Sequence, residues 1–342
     1  MTKLIEYFVE GHTGKGYVNY LQSNLQGINR IILLQHTNPW FITEVLEALI
    51  RRSDSDEIEV IRSLDSREIV DGIILPSQSL ALINEEIYGS HHANESIIRV
   101  PLQEKIIDAN NSERYSSKSF TDAYNSFKRG LAIHEQLEEI YITEMNFAKA
   151  DVIISKLLKK LFSNVKKQDR KAIIFERLFG TNTPDGIVNT VESLLEPIEE
   201  IIFILGRAGT GKSYLMNKVL DKCIAYSMDV EVYRCSLDPH SIDMLIIPSL
   251  NVCLHDNTAP HVVSIKYDNV QIIDMYKETV NQRVEKNNEE RIISLKKEYK
   301  QAMQTGLAYL KDAKTSVKRP KGIKRQDEIK QAINKLIKIT KY

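Results

Sequence analysis

The 342-residue chain lacks any apolar run approaching the ~20 residues that a bilayer-spanning helix needs, so no transmembrane helix is expected. It lacks a net charge: 46 Lys and Arg balance 46 Asp and Glu, which argues against a nucleic-acid binder or a membrane-surface protein. It is poor in cysteine. Cys223, Cys235 and Cys253 are odd in number and form no Cys-x-x-Cys pair, so they read as reduced, mostly buried thiols. The N-terminal MTKLIEYFVEGH carries an acid inside a short apolar stretch and makes a poor signal peptide. Together these scarcities predict a cytoplasmic protein. One further scarcity is local: no glycine stands between Gly27 and Gly72. What is present is ordinary, 42% apolar and 27% charged, enough to bury cores without staples, and the length favours two domains.

Those two domains are one sequence written twice. Slid by about 170 residues, a spacing that suits one domain per copy, GYVNYLQSNLQGINRII from Gly16 lies over GIVNTVESLLEPIEEII from Gly186. EVIRSLDSREIVDGIILPS from Glu59 lies over EVYRCSLDPHSIDMLIIPS from Glu231, with Glu59/Glu231, Val60/Val232, Arg62/Arg234, Asp71/Asp243, Ile74/Ile246 and Pro76/Pro248 identical. Gly130-Leu131-Ala132 overlies Gly306-Leu307-Ala308, and Asp151 overlies Asp327. The boundary falls in the polar NVKKQDRKA, dividing the chain into residues 1–170 and 171–342.

Each copy predicts the same layout. A helix (residues 17–25 and 187–195) leads to an apolar strand (31–34 and 201–205), a turn and a second helix. Three short segments rich in Val, Ile and Leu follow and read as buried strands of a parallel sheet. Long helical stretches close each copy, about residues 120–162 and 272–339. The expected fold class is α/β: two tandem P-loop NTPase-type domains, parallel sheets flanked by helices, each with a helical-hairpin appendage.

The copies differ where chemistry would lie. Copy two reads EIIFILGRAGTGKSYLMNKVL, in which residues 206–213 are G-x-x-x-x-G-K-S after a buried strand and before an amphipathic helix. Gly206, Gly209 and Gly211 let backbone N–H groups converge on phosphate oxygens, with Arg207, Ala208 and Thr210 between them and Tyr214 just beyond. Lys212 supplies a point charge for the β- and γ-phosphates and Ser213 a hydroxyl for Mg²⁺. Asp238 and Asp256, each ending a strand segment, are the acids placed to hold hydrated Mg²⁺ or act as a base; Ser213 and Asp256 are the expected metal ligands. The segment DNTAPH adds His261, which with Asp256 and Thr258 can orient a water or a hydroxyl, or can simply hydrogen-bond in a loop.

Copy one serves as an internal control. It reads RIILLQHTNPWFITEVLEAL, so Ile42 replaces Lys212, Ser66 replaces Asp238, Asn84 replaces Asp256, and His36, Pro39 and Phe41 replace the glycines. Thr43 matches Ser213 but cannot bind a nucleotide alone. Copy one is therefore expected to be a site-less duplicate kept for its fold and its interface, with His36 to Phe41 filling the place of the phosphates. Asp243, which survives as Asp71, reads as structural.

With these motifs the chain resembles a family of double-P-loop proteins of spore-forming Gram-positive bacteria, described as ATPases or nucleotide-kinase-like. The resemblance spans nearly the whole chain and rests on GHTGKG from Gly11, TNTPDG from Thr181, GRAGTGKS, the CSLD segment from Cys235, and DNTAPH. Members read Asp-Gly-Thr-Ala-Pro-His in the last, so Asn257 departs from the pattern, and they carry a working phosphate loop in copy one, which this chain lacks. The resemblance implies a fold and a nucleotide class, not a reaction.

Two features remain. Lys15, in a glycine-rich turn, becomes Asp185 in copy two; it either reaches the nucleotide of copy two across a pseudo-twofold axis or is an exposed lysine in a surface turn. The basic SVKRPKGIKR, with Arg319 and Arg325, is either a lid over the nucleotide, a surface for nucleic acid or an acidic partner, or a solvated charge run. The leading expectation is Mg²⁺-dependent ATP hydrolysis at one site, with Lys212, Ser213, Asp238 and Asp256 in the roles given. The alternatives are a nucleotide or small-molecule kinase and an ATP-gated interaction module with little turnover. The cofactors expected are ATP and Mg²⁺, and the partners a small-molecule or protein acceptor and the paired repeat itself; neither membrane nor nucleic acid is expected. ATP is preferred over GTP because no N/T-K-x-D segment is present.

Overall fold

The computed structural model describes residues 2–89, 97–102, 114–259, 262–263, 269–313, 319 and 323–340. Copy one runs β1 (Lys3–Phe8), β2 (Glu10–Thr13), β3 (Gly16–Asn19), α1 (Leu21–Asn24), β4 (Arg30–Gln35), α2 (Pro39–Ile50), β5 (Glu57–Arg62), β6 (Val70–Leu75), β7 (Leu80–Asn84), α3 (Glu85–Tyr88), β8 (Ile97–Pro101), α4 (Lys118–Ile142) and α5 (Phe147–Phe162). Copy two repeats the order with β9 (Ile174–Arg177), β10 (Gly180–Thr183), β11 (Gly186–Asn189), α6 (Val191–Leu195), β12 (Glu200–Leu205), α7 (Lys212–Ala225), β13 (Val230–Arg234), β14 (Ile242–Ile247), β15 (Val252–Asp256) and β16 (Val270–Asp274). It closes with α8 (Met275–Thr279), α9 (Arg283–Asn287), α10 (Glu289–Ala313) and α11 (Ile323–Thr340).

The fold is α/β, with two six-stranded sheets of order β1-β5-β6-β7-β4-β8 and β9-β13-β14-β15-β12-β16. The sheets are mixed rather than parallel, which corrects the expectation from the apolar runs. β6 and β14 run antiparallel to both neighbours, and the other strand pairings are parallel. The reason is loop length. Residues 63–69 and 76–79 are too few for a parallel crossover, which needs about a dozen residues or more.

The opening helix is also corrected. Residues 17–19 and 187–189 belong to β3 and β11, each the second strand of a hairpin, and only α1 and α6 remain helical. The GHTGKG and TNTPDG segments make the same turn: Thr13 Oγ1 donates to the Gly16 carbonyl and Thr183 Oγ1 to the Gly186 carbonyl, both at 2.8 Å. Gly16 and Gly186 take φ of +101° and +110°, a conformation that favours glycine. At the other end of each copy, residue 272 lies in β16, and the helical stretches break into α4 and α5, and into α8 to α11.

The inner faces of the two sheets share one core. Ile5, Tyr7, Ile31, Leu33, Ile83, Phe179, Ile201, Phe203, Tyr233 and Met244 belong to it together. The outer faces are covered by exchanged helices. α5 of copy one lays Ile154, Leu157 and Leu161 beside α7 on the second sheet, and α11 of copy two lays Ala332, Ile333 and Leu336 beside α2 on the first. α4 and α10 pack against each other at the junction. Gly130 faces Met303 and Gly306 faces Phe127, and a Cβ on Gly306 would lie 2.4 Å from the Phe127 ring. Those contacts are reciprocal between equivalent residues, as an isologous pairing requires.

The same pseudo-twofold relation appears at the chain's centre. Phe8 and its equivalent Leu178 exchange backbone hydrogen bonds of 2.8 and 2.9 Å. Beside them Arg177, 1% exposed, pairs with Glu59 at 2.9 Å and with the equivalent Glu231 at 3.0 Å. Its guanidinium lies 4.0 Å from the Tyr7 ring centre, and its Nε donates to Asn24 at 2.7 Å. Cys223 and Cys253 are buried and Cys235 half-buried, and all three are free. Among the described residues no helix is long and apolar enough to cross a membrane.

Replacing Arg177 by Met leaves two buried carboxylates without their cation, and the expected loss of stability is about 3–5 kcal/mol. Urea unfolding at an unchanged m-value measures it. A loss below about 1 kcal/mol, the range of an exposed pair, would show that the interface does not depend on Arg177.

Candidate functional site

The glycine-rich loop of residues 206–213 joins buried β12 to α7. A Cβ on Gly206 would stand 2.3 Å from Thr210 Oγ1, which itself donates to the Arg207 carbonyl at 2.9 Å. Gly209 and Gly211 take φ of +71° and +83°. Gly211 is the N-cap of the 14-residue α7 and offers no capping side chain, so the positive end of the helix dipole opens into the loop. Lys212 Nζ donates to the Arg207 carbonyl at 2.7 Å and lies 3.6 Å from Asp256 Oδ2. The two side chains are only 12% and 14% exposed, so salt screens their attraction little. The other oxygen of Asp256 accepts the Thr258 hydroxyl.

The strand order explains the meeting. β12 and β15 are parallel neighbours with Ile204 opposite Asp256, so the end of β15 and the start of the loop share one edge of the sheet. Ser213 and Tyr214 are exposed on the first turn of α7. Arg207 turns away, donating to Glu285 at 2.9 Å with its guanidinium 5.1 Å from the Tyr276 ring centre, and Ala208 packs toward the α4–α10 junction. The Arg207 guanidinium holds the Glu285 carboxyl below its ordinary range. Asp238 is half-buried and occupied by its own turn: its carboxylate accepts from the His240 N–H at 3.2 Å and the Ser241 hydroxyl at 3.1 Å. Asn257 closes its loop, accepting from the Val263 N–H at 2.6 Å and donating to the Val263 carbonyl at 3.3 Å. His261 lies outside the described residues.

The equivalent place in copy one is filled. His36 and Phe41 stack with ring centres 4.2 Å apart and planes 5° from parallel. α2 has Pro39 in its first turn, which removes an N–H, and Asn38 Oδ1 accepts from the Trp40 N–H at 2.9 Å. Thr43, the counterpart of Ser213, gives its hydroxyl to the Pro39 carbonyl and accepts the Val70 N–H. Asn84, the counterpart of Asp256, donates to Asp71 at 2.9 Å. Every polar group retained there is spent on the fold.

Two sequence-selected features lie elsewhere. Arg319 and Arg325 donate to Glu44 of α2, at 3.2 and 2.8 Å, with Arg319 over Trp40 and Arg325 over Phe41. They lie on copy one and not over the 206–213 loop. The turn holding exposed Lys15 rests on the CSLD segment, with the Gly14 N–H donating to the Leu237 carbonyl at 2.8 Å.

The sequence reading placed a helix over α4 but not its position against the loop. This helix of copy one lies directly against the loop of copy two: a Cβ on Gly209 would stand 2.3 Å from the Glu138 carbonyl oxygen, and one on Gly211 would stand 2.5 Å from Met145 Cε. His134 and Glu138 face the same way, with Nδ1 and Oε1 3.7 Å apart. Burial, with the Lys212 charge second, pushes the His134 pKa down; burial pushes Glu138 up against the pull of Lys212. The residues matching His134 and Glu138 in copy two are Leu310 and Lys314, and that asymmetry was the available signal. No known protein family matches the chain, and no curated protein or solved structure is significantly similar to it.

Gly209→Ala tests the fit of loop against helix. Its methyl meets a backbone carbonyl at a positive φ, and strain of about 1–3 kcal/mol is expected. Gly27→Ala, at φ +79° with open space around it, is the control that carries the backbone penalty alone. Thermal melting should rank Gly209→Ala clearly below Gly27→Ala; equal values would mean that α4 yields freely.

Proposed function

We propose that the 206–213 loop binds the phosphates of ATP, with Mg²⁺, and that the protein hydrolyses ATP at this one site. The observation that carries the reading is the nearly buried Lys212–Asp256 pair at the uncapped N-terminus of α7. An unfilled helix N-terminus behind two positive-φ glycines suits an anion. A lysine held by a backbone carbonyl can release that bond for a phosphate oxygen. An acid beside it, with an exposed serine on the first helical turn, suits a hydrated divalent cation.

In this reading the loop N–H groups and Lys212 hold the β- and γ-phosphates, and Ser213 and Asp256 hold Mg²⁺. The metal would neutralise charge shared between the two phosphates. Asp238, engaged by its own turn, shapes the field at the site. The resemblance to double-P-loop proteins points the same way. The phosphotransferase alternative rests on the basic segment acting as a lid, and Arg319 and Arg325 lie on Glu44 instead. The nucleotide-gated alternative has an observation of its own: Gly209 and Gly211 bear on α4 and Met145, so filling the loop would press on the junction of the repeats.

The test is ADP and phosphate release from Mg·ATP by the wild type beside Lys212→Ala. Turnover should fall by about 10²–10³-fold in the variant, as when one charge-stabilising donor is removed. Equal turnover in the two proteins would remove the 206–213 loop from the reaction. Lys212-dependent binding without release of ADP would favour the gated module.

A further inference from the structure

The helix over the loop belongs to the other repeat. α4 is fixed there by packing: Ile133, Leu137 and Tyr141 lie against Val280, Val284, Ile292 and Leu295. It is also fixed by hydrogen bonding, because the Tyr141 hydroxyl donates to Glu285 at 3.2 Å and Glu285 holds Arg207 of the loop. One turn back, His134 and Glu138 stand at i and i+4 with Nδ1 and Oε1 3.7 Å apart, the Glu138 backbone lies against Gly209, and the Lys212 charge acts on both side chains. Both side chains remain more than a third exposed, so water reaches them.

The duplication supplies a second, independent observation. α4 and α10 are equivalent helices related by the reciprocal Gly130–Met303 and Gly306–Phe127 contacts. The helix beside the intact loop carries His134 and Glu138. The equivalent positions of copy two, whose partner repeat has no glycine loop, are Leu310 and Lys314, and Leu310 is fully buried. The acid–imidazole pair is present only on the helix whose partner loop is intact.

We propose that copy one completes the nucleotide site of copy two in this way: Glu138 accepts the proton of the attacking water and His134 positions that carboxylate. The proposal rests on the nucleotide reading above. The water oxygen bonds to the γ-phosphorus as the bond from that phosphorus to the β,γ-bridging oxygen breaks. The electron pair leaves on ADP, one water proton passes to the Glu138 carboxylate, and inorganic phosphate is the second product. Partial burial raises the Glu138 pKa, which makes it a better proton acceptor than a free carboxylate, and lowers that of His134, whose neutral ring keeps one N–H to donate to the carboxylate. The charged groups acting on the pair are Glu135 on α4, Lys212 on α7, Asp238 in the turn after β13, and Asp256 at the end of β15.

The experiment uses the full chain. Glu138→Gln and Glu138→Ala both leave the backbone carbonyl against Gly209 in place. Each should bind Mg·ADP with a Kd within about threefold of wild type while kcat falls about a hundredfold or more. His134→Asn should lower kcat with KM and melting temperature unchanged, a split that a purely structural role would not give. Glu139→Gln, exposed on the same helix, should leave turnover as it is. Glu138 variants that hydrolyse ATP at the wild-type rate overturn the proposal. Wild-type protein that binds ATP through Lys212 but never turns it over also overturns it, and leaves the binding part of the nucleotide reading standing. No Lys212-dependent binding at all removes both.

Discussion

Arg177 is the residue on which the two repeats converge. It stands beside the antiparallel bridge between Phe8 and Leu178, where a pseudo-twofold relation brings Glu59 and Glu231 together. Two buried carboxylates at that point would repel each other, and one guanidinium with its fork of donors serves both. The symmetry has to be broken to do this. The equivalent of Arg177 is Tyr7, whose hydroxyl donates to Glu59 at 2.5 Å while its ring lies against the guanidinium. A second arginine there would restore the sequence symmetry and crowd two cations together. Burial still pushes Glu231 upward, opposed by Arg177, whose Nη1 lies 3.0 Å from Glu231 without a hydrogen bond, so the cluster gains little from the charges themselves.

Once that centre is fixed, the helices have little choice. The inner sheet faces are consumed by the shared core, so each outer face needs helical cover, and α2 or α7 alone leaves much of it bare. The last helix of each repeat crosses to supply it. α4 and α10 are carried to the junction by the same crossing, which is why a helix of copy one lies on the loop of copy two. An exchange of this kind ties the two cores thermodynamically, since neither sheet is fully covered by its own repeat.

Much of this was legible in the sequence, for reasons that can be named. The duplication was visible because identical residues sit where the fold allows no substitute, as in the Thr13–Gly16 and Thr183–Gly186 turns. The glycine loop was visible because its spacing follows from backbone geometry. β3 and β11 were misread because Val18, Leu21 and Leu25 recur at helical intervals, and the preceding glycine turn overrides that pattern. The parallel reading holds for most pairings and fails at β6 and β14, because a buried apolar strand looks the same in either direction and only loop length decides. The exchanged helices were not legible at all. Nothing in the amphipathic face of α5 says which of two similar sheets it will cover. For the same reason Arg319 and Arg325 read as a lid, although the crossing of α11 carries them to Glu44.

The crossing also explains why a repeat without a glycine loop remains whole. Copy one could fill its own loop with His36 and Phe41 at little cost to the 206–213 loop, because the two rings stack on each other and Phe41 lies under Arg325 of α11. It could not lose α4 or α5 so cheaply. Ile154, Leu157 and Leu161 are part of the core beneath α7, α4 holds Gly209 and, through Tyr141 and Glu285, Arg207, and Met145 between α4 and α5 lies against Gly211. The constraint on copy one is therefore uneven along its length: slack around residues 36–41, tight from α4 onward. In copy two it is tight in the 206–213 loop and again on α10, where Gly306 meets the Phe127 ring and Leu310 is fully buried. Each repeat is therefore held most tightly where the other packs against it.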